Sequence, residues 1–77
     1  MKIIDEIRRQ RATLGAAQAT RVILSPFAFE QLLAEKDEFG LHQLNTHMIP
    51  PTVYGMRISV ADEPGREVAV LAGAQAL

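Results

Sequence analysis

The chain has 77 residues, with eight lysines and arginines against nine aspartates and glutamates, a formal charge of −1 and no cysteine. That balance argues against a general nucleic-acid or membrane-surface binder, and the missing cysteines remove disulfides and thiolate metal ligands. A single domain of this size buries roughly 60 to 65% of its unfolded surface, so a partner subunit is the remaining source of extra stability.

Met1-Lys2-Ile3-Ile4-Asp5-Glu6 becomes charged at once and lacks the apolar core of a signal peptide. No apolar run approaches the ~18 residues of a membrane span, so the expectation is a soluble protein kept in the cytosol. Ile3, Ile4, Ile7 and Leu14 recur near helical spacing while Asp5, Glu6, Arg8, Arg9 and Arg11 cover the other side, which predicts an amphipathic helix over 1–15. Its acids precede its arginines, the order the helix dipole favours, and Gly15 is its expected stop. Ala16 to Ala19 reads as a frayed end or linker.

Arg21-Val22-Ile23-Leu24 is short and β-branched, as in a strand buried on both faces or nearly so. Ser25 then caps a helix with Pro26 at its first position, where the absent N–H costs nothing. Phe29, Leu32, Leu33 and Lys36 fall on one expected core stripe, and Gly40 closes the helix. Residues 41 to 51, with two histidines and Pro50-Pro51, read as an extended loop. Met56, Ile58 and Val60 alternate with Arg57, Ser59 and Ala61, and Val68 and Val70 with Glu67, Ala69 and Leu71. Asp62-Glu63-Pro64-Gly65 between them has the residue order of a type II turn, so the two strands are expected to form an antiparallel hairpin. The fold class is α+β: two helices packed on a small, mainly antiparallel sheet of about three strands, in the order helix-strand-helix-loop-strand-strand.

No constellation has the spacing of a catalytic site. His42 and His47, with Asp37 or Glu38 nearby, fall short of a zinc ligand set and read as solvated loop histidines. Ser25 and Ser59 have neither a nucleophile-elbow context nor a base at readable spacing. Lys2, Arg8, Arg9 and Arg11 have acids interleaved and no aromatic residue to stack on bases, so a solvated helix face or a contact to an acidic protein is preferred over nucleic acid. Phe27 and Phe39 are out of phase with the core stripe. With Leu41, Leu44, Met48 and Ile49 of the loop they are candidates for a partner surface. The residues expected to bind a partner are Arg8, Arg9, Arg11, Phe39, Leu41, Leu44, Met48, Ile49 and Tyr54; no catalytic, cofactor or metal residue is expected.

The order Val22-Ile23-Leu24-Ser25-Pro26, Leu32-Leu33, Lys36-Asp37, Gly40, Tyr54-Gly55-Met56-Arg57-Ile58-Ser59-Val60 with Asp62, Pro64 and Val68 to Leu71 with Gly73 resembles one segment, the axial domain, of the major capsid proteins of tailed bacteriophages. The resemblance covers residues 21–73, about two thirds of the chain. It implies a capsid-axial-domain-like core over 21–73, which joins the helix over 1–15 read from periodicity in the single small domain that the length allows; 74–77, with little to anchor it, reads as a tail that is mobile or docks on a neighbour. The resemblance implies contacts around an assembly axis and no catalytic residue. The spine helix, peripheral domain and extended arms of a shell-forming subunit do not fit in 77 residues. The expectation is therefore a small, non-enzymatic phage structural or assembly protein, in the virion or the host cytoplasm, that binds copies of itself or virion subunits. The alternative is a soluble inhibitor or adaptor that binds a host protein such as an antiviral defence component.

Overall fold

A computed structural model describes residues 2–62 and 67–72. The elements run α1 (Ile3–Leu14), β1 (Ala19–Leu24), α2 (Pro26–Phe39), β2 (Leu44–Asn45), β3 (Thr52–Val53), β4 (Met56–Val60) and β5 (Val68–Ala72). The class is α+β as expected, but the sheet has five strands rather than about three, in the order β2-β3-β4-β1-β5. It is mixed: β1 runs parallel to β4, and the other three pairings are antiparallel.

The expected hairpin of 56–60 with 68–71 does not form, because β1 lies between β4 and β5 and pairs with both. Periodicity identifies a half-buried strand but not its neighbour, and the apolar Val22-Ile23-Leu24 run is what a central strand requires. The hairpins that do form are β2–β3 and β3–β4, both shorter and both drawing on residues 44–53. The turn expected around Pro64-Gly65 and the tail 74–77 lie outside the described residues.

Both helices cover one face of the sheet. Ile4 and Ile7 of α1 and Ala28 and Leu32 of α2 join Val22, Leu24, Leu44, Val53, Met56, Ile58 and Val68 in a single core. The buried stripe of α2 is Ala28, Leu32 and Glu35, so the expected stripe through Phe29, Leu33 and Lys36 is rotated: those three are only partly buried. Ser25 caps α2 as expected, its Oγ accepting from the Ala28 N–H at 3.0 Å. Gly40 ends the helix in the left-handed conformation, φ 64°.

α1 begins differently. Lys2 makes no side-chain cap. Instead the buried Glu35 carboxylate reaches over from α2 and accepts from the Ile3 N–H at 2.8 Å and the Ile4 N–H at 3.0 Å. A negative group on the free amides of a first turn satisfies them and complements the helix dipole. Farther along α1, Gln10 meets the outer edge of β5. Its Nε2 donates to the Val68 carbonyl at 3.1 Å, and its Oε1 accepts from the Val70 N–H at 3.0 Å. One side-chain amide thus stands where the peptide unit of a sixth strand would pair, and part of the edge is closed to strand addition.

Candidate functional site

Tyr54 and Gly55 form the two-residue turn between β3 and β4, with Val53 opposite Met56. Both have positive φ, 51° and 77°, the requirement of a type I′ hairpin turn. Gly55 adopts this conformation freely, whereas a tyrosine there costs on the order of 1 to 2 kcal/mol. The side chain of Tyr54 is correspondingly well held. Its hydroxyl oxygen accepts from Arg8 Nε at 3.0 Å and Gln43 Nε2 at 3.2 Å, and its ring lies 4.8 Å from the Arg11 guanidinium carbon. The bond to Tyr54 raises the Arg8 pKa above its already high ordinary value. The fold therefore brings together Arg8 and Arg11 of α1 with Tyr54 of the β3–β4 turn, three residues of the expected partner set that come from two separate stretches of the chain.

The same geometry shows how the helix arginines are occupied. Arg8 pairs with Asp5 at 3.2 Å, and Arg9 grips Glu6 with two nitrogens. Arg11 stacks on Tyr54, with its Nε buried and without a hydrogen-bond partner. Exposed i,i+3 pairs contribute only a few tenths of a kcal/mol, yet they reduce the free positive charge that this helix face offers an acidic partner.

Of the remaining expected contact residues, Phe39 is 47% exposed and carries the Lys2 ammonium 4.0 Å above its ring. Met48 and Ile49 are exposed, Ile49 at 99%, on the loop after Asn45, whose side chain accepts from the His47 N–H at 2.9 Å. Leu41 packs against the core. Leu44 is a correction: it is 3% exposed, because the unexpected β2 turns its side chain inward opposite Val53, and it offers a partner no surface.

Sequence reading missed Gln10, Glu35, Arg21 and Arg57. For Arg57 a signal existed in the alternation of 56–60, which sets it on the face opposite Met56 and Ile58. Gln10 and Glu35 resemble ordinary surface residues of a helix, and only tertiary contact gives them their roles.

Among the described residues no group of three or more His, Cys, Asp or Glu side chains converges to hold a metal, and no helix is long and apolar enough to cross a membrane. An open groove of about 280 Å³ between α1 and β5 is lined by Arg9, Gln10, Thr13, Leu14 and Val70. Its polar groups are engaged: Arg9 with Glu6, Gln10 with β5, and the Thr13 hydroxyl with the Arg9 carbonyl at 3.0 Å. It therefore presents no convergent polar set of the kind that orients a small ligand. The chain matches no protein-family model, no curated protein and no solved structure.

Proposed function

We propose that the chain is a non-enzymatic structural or assembly protein of a bacteriophage, working through protein–protein contacts in or on the virion. The observation that carries the contact role is the set of large apolar side chains left outside the core: Phe27, Phe39, Met48, Ile49 and Val60. Scattered exposed apolar residues are ordinary. Here, though, Met48 and Ile49 are consecutive at the tip of a loop, with Ile49 almost fully in water, in a chain with few large residues to spare for its core. What supports the phage class is the order of parts from Arg21 to Leu71 and its resemblance to the axial domain of capsid proteins.

The test is light scattering coupled to size exclusion at micromolar concentration, for the native chain and for Met48→Ser/Ile49→Ser. A defined oligomer supports the reading, and its weakening in the double variant places the loop in the contact. A monomer at every concentration shifts the weight to the inhibitor or adaptor that binds a host protein. That alternative, with the arginine-bearing face of α1 as its contact, draws less support from the fold, since Arg8 and Arg9 are already paired within α1.

A further inference from the structure

The open face of the sheet and the outer surface of α2 carry opposite charge. On the face of the sheet away from the helices, the register sets Arg21 directly beside Arg57, Ile23 beside Ser59 and Ala69, and Arg21 beside Leu71. Like charges on directly opposed residues of a sheet repel. Yet among the described residues neither arginine has a carboxylate partner: Arg21 donates to the Ser59 hydroxyl at 3.3 Å, and Arg57 is exposed. Among the described residues, the one carboxylate in register on this face, Glu67, is tied to the Ser25 hydroxyl at the far end of the β1–β5 pair. That is four positions along the strand from Arg21, or about 13 Å.

The opposite side of the molecule is made by both helices, α1 with its arginines paired to Asp5 and Glu6, and α2 with its outer surface. Ala28, Leu32 and Glu35 point inward, so the 3.6-residue repeat puts Glu30 and Asp37 on the outermost line, with Ala34 between them and Phe27 and Glu38 at its flank. All five are exposed, and Phe27 is 69% exposed. One side thus offers carboxylates beside an aromatic ring, and the other offers guanidiniums beside Ile23 and Leu71.

These surfaces are back to back, so they cannot meet within one molecule. We propose that they meet between molecules: the open sheet face of one copy docks on the outer face of α2 of the next, with Arg21 and Arg57 against Glu30 and Asp37. This deepens the assembly reading above and rests on it. A two-fold dimer through the sheet faces would oppose four arginines, whereas the head-to-tail contact neutralises them. Such heterologous contacts close into rings or continue as filaments. Even the smallest face of the molecule, 26 × 24 Å, offers roughly 600 Å² per partner, near the lower end of specific interfaces, so the association is weak and sensitive to salt.

The experiment is sedimentation velocity on the native chain and on two charge-swapped variants, Arg21→Glu/Arg57→Glu and Glu30→Arg/Asp37→Arg, with circular dichroism to check folding. The native chain is expected to associate at micromolar to millimolar concentration, and to weaken at least tenfold between about 50 and 500 mM salt. Each variant alone then carries one sign of charge on both faces and stays monomeric, while an equimolar mixture restores both contacts and associates again. A native oligomer that ignores salt, or that neither swap weakens, overturns this contact and leaves the assembly reading standing. A native chain that remains monomeric throughout overturns both. Should a variant fail to fold, the salt dependence of the native chain still decides.

Discussion

The two helices begin in opposite ways. α2 is started by its immediate neighbours, Ser25 accepting from the Ala28 N–H and Pro26 occupying the first turn. α1 is started by Glu35, 32 residues away, which is buried and holds two amides. A local cap works as soon as its own turn forms. A remote cap works only after the two helices have docked, so it reports tertiary structure rather than helix propensity.

The contrast can be broken most severely through Leu32, which lies one turn from Glu35 on the same buried stripe. Leu32→Ala is expected to cost about 2 to 5 kcal/mol in a denaturant melt; an unchanged midpoint would place α2 on the wrong face. Glu35→Ala is expected to cost about 2 to 4 kcal/mol, because two amides lose their acceptor in a buried place. Hydrogen exchange at Ile3 and Ile4 should rise more than at Ala28, and equal rises would contradict a remote cap. Ser25→Ala should cost less, about 1 to 2 kcal/mol, and loosen the start of α2 while leaving Ile3 and Ile4 protected. Acid gives the smallest effect. Hydrogen bonds from Arg9 and then Gln10 hold the Glu6 carboxyl below its ordinary 4.5. Its contribution is therefore complete above about pH 4.5 and is lost as the pH falls through the lowered folded value. Glu6→Gln should flatten that part of an acid titration followed by circular dichroism, and a titration with the same slope would remove Glu6 from the account.

The same local-versus-remote distinction explains what the sequence discloses. The extents of α1 and α2, the Ser25-Pro26 start, the Gly40 stop and the strands at 21–24, 56–60 and 68–71 were all legible, because each rests on residues within one or two turns of each other. Strand neighbours were not. Nothing in Met56–Val60 states that it pairs with β1 in parallel, and two-residue strands such as β2 and β3 are too short to show a period. At the candidate site, the arginines and Tyr54 were identifiable by type, but their mutual pairing was not. Arg8 and Arg9 drew attention through clustering, while the less encumbered charges, Arg21 and Arg57, are isolated in sequence and become neighbours only in the sheet.

The ties that hold α1 also set an order of events. Its twelve residues are too few to remain helical alone in water. Its start depends on Glu35, and its flank depends on Val68 and Val70, 58 and 60 positions downstream of Gln10. During synthesis, residues 3–14 are made before Glu35, Val68 and Val70, so α1 is expected to become ordered only after those later segments have emerged. Until β5 arrives, Ile4 and Ile7 lack part of the core that buries them, and the nascent chain carries them partly in water. Pulse-labelled exchange during refolding should find the α1 amides protected no earlier than those of β5; earlier protection would show that this helix does not wait.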